Sequence, residues 1–128
     1  MNETGLLEDA EPLRVRCAQL APRQRLAVTA LCATKVRSVS RAFLHESGEG
    51  DAFNRIDNGL GAIRLDLRGI RPASASDLVR VRKEAERWVA CLADADNEAA
   101  GFAADAVSVS VCAMSEFIFP CRSSPGVP

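Results

Sequence analysis

Four polar side chains in an apolar stretch near the end of the chain have types and spacing suited to chemistry. A carboxylate pair encloses a hydroxyl and a thiol, at Asp105, Ser108, Cys112 and Glu116. Steps of three and four residues place all of them on one face of a helix. Asp105 and Glu116 would then lie roughly 16 Å apart, at a rise of 1.5 Å per residue. That distance is too long for two carboxylates to share acid–base work.

These four residues therefore form a structural polar seam in our interpretation, and we predict no catalytic residue. An unpaired buried charge is costly, so we expect the two carboxylates to pair with Arg64, Arg68 or an arginine of the second predicted helix. Two alternatives remain open. One is a cleft lined by the acid pair, and the other is simple exposure at the helix ends.

A short polar segment between residues 44 and 51 contains the only histidine of the chain. A metal site with histidine ligands needs further histidines or suitably spaced cysteines, and the acidic residues here lack the EF-hand pattern. We predict no metal site and no cofactor site. A negatively charged segment is either a plain solvated turn or a contact for a basic partner. The candidate partner-binding residues are His45, Glu46, Glu49 and Asp51.

The basic residues in the middle of the chain are interleaved with acidic ones. They are Arg64, Arg68, Arg71, Arg80, Lys83 and Arg87, with Asp66, Glu84 and Glu86 among them. This mixture predicts a solvated face rather than a phosphate-binding stripe. The formal net charge of −1 also favours neither nucleic acid nor an anionic membrane as a partner.

Length and composition predict one soluble globular domain. The chain has 128 residues, of which 48% are hydrophobic and 26% are charged. Its 5 cysteines are an odd number without a C-x-x-C pair, which favours reduced thiols and a cytoplasmic location. The acidic start does not resemble a signal peptide, and the charge-free run 106–115 is too short to span a bilayer.

We expect flexible tails at residues 1–11 and 120–128, around a single helical domain at 12–119. Pro12 opens a short first helix that closes near Ala21, and Pro22 opens the second. The second helix carries an apolar line that we expect to face the core. Its members are Val28, Cys32, Val36, Val39 and Phe43.

Two further helices follow the polar break at residues 44–50. Asp51 is the expected cap of the third helix, and Ser74 or Ser76 that of the fourth. The third presents Phe53, Ile56, Leu60, Ile63 and Leu67 at helical spacing, and the fourth presents Leu78, Val81, Ala85, Trp88 and Leu92. Gly59 and Gly61 weaken the third helix intrinsically, but glycine also permits close approach by a neighbouring helix.

The stretch 97–119 is apolar in nearly every direction, which is typical of a helix enclosed by its neighbours. Alternating apolar and polar residues at 106–111 would also suit a strand. We favour a helix because that run is short, lies in Ala-rich sequence and has no partner strand. The predicted fold is thus all-α, an antiparallel bundle of about five helices with a central apolar C-terminal helix.

Scattered residues in these helices resemble the YjaG-like bacterial proteins, a helical domain family of unknown function. The similarity runs over residues 13–119 and rests on Leu20, Pro22, Gln24, Leu31-Cys32, Phe43, Arg55-Ile56 and Ala113-Met114-Ser115-Glu116. The resemblance implies an all-α cytoplasmic protein and no particular activity.

A central helix with only four covers, one of them short, would leave part of its apolar surface open, and such patches usually contact other proteins. We therefore predict a non-enzymatic protein–protein interaction module, of the bacterial immunity or antitoxin type, that binds and occludes a partner toxin. The alternative is a homodimeric structural protein without a toxin partner. An enzyme is the third class.

Overall fold

The computed structural model describes residues 19–120, and this part of the chain is built from α-helices without a strand. The helices are α1 (Pro22–Glu46), α2 (Gly50–Leu67), α3 (Ala75–Asp94) and α4 (Glu98–Ile118). The predicted all-α class is confirmed, and residues 106–111 are helical. The predicted first helix lies almost wholly outside the described residues, as do the predicted tails apart from Pro120. Those predictions therefore stay predictions.

Side-chain caps explain where three of the helices begin. The Gln24 side chain accepts a hydrogen bond from the Ala21 N–H at 3.0 Å, next to Pro22 at the start of α1. Ser74 caps α3 by accepting from the Asp77 N–H at 3.3 Å. Asn97 caps α4 through the N–H groups of Ala99 and Ala100, at 2.8 and 3.2 Å.

The cap expected for α2 is wrong. Glu49 occupies the N-cap position without a side-chain hydrogen bond, and Asp51 lies in the first turn. A carboxylate there still interacts favourably with the helix dipole, so the acidic side chain stabilises the helix start without capping it.

Contacts between side chains show that neighbouring helices run antiparallel. Arg23 binds Asp66 while Arg37 binds Asp57, so α1 and α2 run in opposite directions. The pair Arg55–Glu84 joins α2 to α3. Further contacts that join α3 and α1 to α4 are Arg82 with Phe119 and Thr29 with Glu116. Val39 of α1 and Phe102 of α4 line the same cavity. The helices form a ring in the order α1, α2, α3, α4, with α4 packed along α1 and α3.

The core combines large side chains from α2 and α3 with small ones from α4. Fully buried residues include Leu60, Ile63 and Leu78, while α4 contributes a run of buried alanines at positions 100, 103, 104, 106 and 113. Alanine lets the axis of α4 approach its neighbours closely. Gly59 serves the same purpose on α2, since a Cβ there would lie 3.0 Å from Val81 Cγ1 and 3.1 Å from Met114 Cε.

The last helix occupies one corner of the ring and is not enclosed on all sides. By length and composition alone, Glu98–Ile118 is long and apolar enough to cross a membrane, contrary to the expectation from the shorter charge-free run. The core helix of a soluble protein meets the same criteria. Of the most apolar 18-residue window, 39% is buried. Val109, Val111, Phe117 and Ile118 are half-buried against the core, whereas Phe102, Asp105 and Cys112 are exposed.

Candidate functional site

Helix α1 has two apolar stripes, and the structure buries the one that has small residues in its middle, between Leu26 and Leu44. Its buried residues are Leu26, Ala30, Ala33, Ser40 and Leu44. The line predicted to face the core lies largely on the outer side, with Val28 42% and Val39 43% exposed. Val36 and Phe43 are half-buried, and Phe43 packs against the core. Small side chains at 30 and 33 allow α1 to pack closely on the alanine face of α4. The larger stripe is left outside for that reason.

A groove runs between this outer stripe and the adjacent side of α4. We call it the outer groove. Helical spacing assigns to its α1 side Val28, Cys32, Val36, Val39 and Phe43, and to its α4 side Phe102, Asp105, Val109, Cys112 and Glu116. Both sets recur at steps of three and four residues, so each forms one line along its helix. The middle of the groove is a cavity of about 380 Å³ lined by Val36, Val39, Phe102, Asp105, Ala106 and Val109.

The large apolar residues on the rim of this groove are well exposed. Phe102 is 57% exposed, more than either valine of the α1 stripe. Single exposed apolar residues are common on protein surfaces, but a continuous apolar patch marks a contact surface. The arrangement suits docking of an apolar helix or helix pair.

The predicted polar seam lies along the α4 side of the groove. Asp105 and Cys112 are exposed, and the Ser108 hydroxyl donates to the Ala104 carbonyl at 2.9 Å. Glu116 accepts a hydrogen bond from the Thr29 hydroxyl. Within residues 19–120 no arginine pairs with either carboxylate, in contrast to the expected salt bridges. Water hydrates Asp105 on an outer face, so it needs no arginine.

Charge is divided between the two sides of the groove. The α1 side carries Arg25 and Lys35, whereas the α4 side carries Glu98, Asp105 and Glu116. Arg25 lies near Glu116, since both line a small cavity with Pro22 and Phe119 at one end of the bundle. Its guanidinium donates to the Leu20 carbonyl at 3.1 Å. The groove is thus basic along one edge and acidic along the other.

The candidate partner-binding residues of the polar segment lie together at the opposite end of the bundle. His45, Glu46, Glu49 and Asp51 are all exposed. Gly48, at φ 81°, makes the sharp turn, and the Glu49 N–H donates to the Leu44 carbonyl at 2.7 Å. The His45 ring packs on Phe53, with ring centroids 5.9 Å apart. The carboxylates of Glu46, Glu49 and Asp51 are therefore presented to solvent by a well-defined turn.

The shifted pKa values belong to ion pairs between elements. The Ala73 N–H and the Arg23 guanidinium, at 2.8 and 2.7 Å, hold the pKa of Asp66 below its usual value. The Arg55 guanidinium does the same to the pKa of Glu84. These pairs fasten helices together and do not converge in one cleft.

Within the described residues, no three His, Cys, Asp or Glu side chains are grouped to hold a metal ion. Cys32, Cys91 and Cys112 are free and exposed. Residue types alone did not reveal the outer groove. The available signal was the presence of two apolar stripes on α1, one of small and one of large residues.

Comparisons with protein-family models, with curated proteins and with solved structures found no match to this chain. The resemblance to YjaG-like proteins stays a prediction.

Proposed function

We propose that this chain is a non-enzymatic protein–protein interaction module that docks its partner in the outer groove. The observation that carries the proposal is the apolar stripe of α1, which lies outside the core beside exposed Phe102. A residue pattern that could have been buried is instead presented beside the apolar residues Phe102 and Val109 of α4. A partner that covers the stripe and these residues removes that surface from water.

The occupant that fits best is a second copy of the same chain. A two-fold axis along the groove would place α1 of one copy against α4 of the other, antiparallel. Val36 and Val39 lie level with Phe102 to Val109, which puts Lys35 level with Asp105. Arg25 lies level with Glu116. Lys35 and Asp105 are both exposed, so each would meet its counterpart on the other copy, and electrostatic complementarity of this kind fixes the register of an interface. Glu116 is already bound to Thr29 within its own chain.

The area available is sufficient for such a dimer. Helices of 25 and 21 residues offer about 30 Å of shared length and about 20 Å of combined width. The covered area is then roughly 600 Å² on each copy and about 1,200 Å² in total, at the lower end of stable interfaces. We expect a dimer that dissociates on dilution.

Cross-linking between single-cysteine variants tests this arrangement. Cys32 is four residues before Val36 on α1, and Cys112 is three residues after Val109 on α4, so the two lie at similar heights in these antiparallel helices. In the proposed dimer, Cys32 of one copy therefore faces Cys112 of the other. One variant keeps only Cys32 and another only Cys112, with serine at the remaining cysteines. Copper–phenanthroline, as the oxidant, should link the two variants when mixed, by joining two thiols in one disulfide with loss of two electrons and two protons.

Each variant alone should give little cross-linked product, because like positions lie apart in this arrangement. A variant that keeps only Cys91, on α3, is the matched exposed control and should link to neither. Light scattering of the unmodified chain should give twice 13.7 kDa. A monomer at about 100 µM with no 32–112 product would overturn self-association.

A toxin-type partner is the second candidate, and the acidic turn favours it. Exposed Glu46, Glu49 and Asp51 offer three carboxylates to a basic surface. In this proposal the chain is a bacterial cytoplasmic immunity or antitoxin protein that occludes its toxin. The gene beside it should then encode a protein that is toxic when expressed alone and harmless when expressed with this chain.

The matched test replaces the three carboxylates of the turn with Gln, Gln and Asn. Protection from the neighbouring toxin should fall at least tenfold, since charge pairs at an interface govern association. Changing the outer-groove residue Val39 to Ala should leave protection intact. Full protection by the triple variant would exclude the acidic turn as the toxin contact.

A further inference from the structure

A second cavity, on the other side of α1, is lined by arginines. It has a volume of about 470 Å³ and lies between α1, α2 and the loop that follows α2. The basic residues that line it are Arg37, Arg64, Arg68 and Arg71. The sequence predicts that Arg64, Arg68 and Arg71 belong to a solvated face, and Arg68 and Arg71 are exposed. The fold also brings the three around one concave site.

Three of these guanidinium groups have no protein partner in the described part of the chain. Arg37 donates to both oxygens of Asp57, at 3.0 and 3.1 Å, and so occupies the one carboxylate that lines the cavity. Among residues 19–120, the side chains of Arg64, Arg68 and Arg71 form no salt bridge. The cavity therefore holds an excess of positive charge.

The backbone keeps these like charges together. Arg64 lies in the last turn of α2 and Arg68 is the residue that follows this helix, four positions on, so two like charges lie close together at the helix end. Arg71 is held beside them because its N–H and that of Ile70 both donate to the Leu65 carbonyl. Asp66 secures the same loop by accepting from the Ala73 N–H at 2.8 Å. The fold thus holds these guanidinium groups close together against their mutual repulsion, and a bound anion would reduce that repulsion.

We propose that this cavity binds a phosphate-bearing anion of the diphosphate class. The planar fork of arginine matches phosphate oxygens in pairs, and several guanidinium groups suit a ligand with more than one negative charge. The cavity volume lies within the range of small-molecule sites. Gly61 leaves one wall open, since a Cβ added there meets nothing within 4 Å. Asn58 supplies a neutral hydrogen-bonding group to the same wall.

Calorimetric titration with inorganic pyrophosphate in 50 mM salt tests the proposal. The double variant Arg64→Gln/Arg68→Gln should bind at least tenfold more weakly than the unmodified chain. The matched control is Arg80→Gln/Arg87→Gln, which removes two exposed arginines of α3 and should keep the original affinity. Raising the salt to 200 mM should weaken binding of the unmodified chain, because ions screen these charges.

A second variant separates loss of binding from loss of folding. Gly61→Leu projects a side chain into the cavity and replaces a helical glycine, so it should raise the melting temperature while it lowers pyrophosphate affinity. An unchanged affinity in both Gly61→Leu and the double arginine variant would overturn the site, as would the absence of pyrophosphate binding.

The phosphate could belong to a free anion or to a lipid headgroup. Sedimentation with vesicles that contain phosphorylated phosphatidylinositol distinguishes the two sources. Binding to pyrophosphate alone assigns a free anion. Arginine-dependent binding to both probes, with tighter binding to vesicles, assigns a headgroup. Vesicle binding that the double variant retains contradicts the proposal.

Discussion

At the scale of single residues, Asp66 shows how one side chain joins three parts of the fold. It accepts from Arg23 of α1 and from the Ala73 N–H that precedes α3, while it belongs to α2. Its side chain is 14% exposed, whereas that of Arg23 is 58% exposed. The buried backbone contact matters more than the exposed ion pair, because water screens the latter.

Replacing Asp66 by Asn should lower the free energy of unfolding by about 1.5–3 kcal/mol at pH 7, the range for a hydrogen bond to a charged group. The pKa of Asp66 is lower in the folded state than in the unfolded state. Its stabilisation is therefore fully present above the unfolded value of about 3.9 and is lost as the pH falls through the folded pKa. Urea unfolding at pH 7, 5 and 3 should show a gap between the two proteins that narrows only at pH 3.

Asp77→Asn is the matched control for this measurement. Asp77 pairs with Arg80 on the surface of α3, and its side chain is 62% exposed. We expect a change within about 0.5 kcal/mol at each pH. A loss in Asp77→Asn equal to that in Asp66→Asn would show that the backbone contact at Ala73 adds nothing.

Gly59 and Gly61 in the interior of α2 make a matched pair of sites. An added Cβ at Gly61 is free of contacts, so Gly61→Ala should raise the free energy of unfolding by about 0.5–1 kcal/mol. The same change at Gly59 must displace Val81 and Met114 side chains. Thermal unfolding should therefore give Gly59→Ala the lower melting temperature of the two. The reverse order would contradict the close approach at Gly59.

At the scale of helices, α2 and α3 could be predicted from the sequence, whereas α1 could not be. On α2 the predicted line is the buried one, from Phe53 to Ile63, because it holds nearly all the large apolar residues of that helix. On α3, Leu78, Ala85 and Leu92 are buried as expected. Helix α1 offers two apolar lines, and its sequence does not state which neighbour it will meet. The alanine face of α4 selects the smaller line.

A pair of leucines on α1 tests this assignment. Leu26 is 4% exposed and Leu31 is 58% exposed. Leu26→Ala should cost about 2–4 kcal/mol of unfolding free energy, because it leaves a cavity in the core. Leu31→Ala should change it by less than about 0.5 kcal/mol. Chemical unfolding of both variants checks the difference, and similar losses would mean that α1 is rotated from the described position.

The polar seam shows that prediction of the candidate site from sequence meets the same limit as prediction of the buried face of α1. Its spacing correctly places four residues along one side of α4, but burial and partners depend on where that helix stands in the ring. A corner position exposes Asp105 and brings Glu116 to Thr29. The arginine cavity also escapes sequence reasoning, since Arg37 is far from Arg71 in the chain.

At the scale of the whole molecule, self-association predicts a stability that depends on protein concentration. Mass action stabilises a folded dimer as the concentration rises, so the apparent melting temperature should increase between 1 and 100 µM. Phe102→Asp, in the outer groove, should abolish that dependence because it places a charge against an apolar partner surface. Phe119→Asp is the control at a similarly exposed phenylalanine outside the groove and should retain it.

Because the helices of the described chain alternate in direction and are even in number, α1 begins and α4 ends at the same end of the bundle. Pro22 and Phe119 line one small cavity there. A protein fused before α1 and a protein fused after α4 would therefore be attached at the same end of the bundle. The opposite end of the bundle, which bears the acidic turn, would remain free of both fused proteins. A short peptide linker from the end of α4 to the start of α1 would allow a circular permutation with new termini at Gly48. The permuted protein would carry its termini beside the carboxylates of the acidic turn.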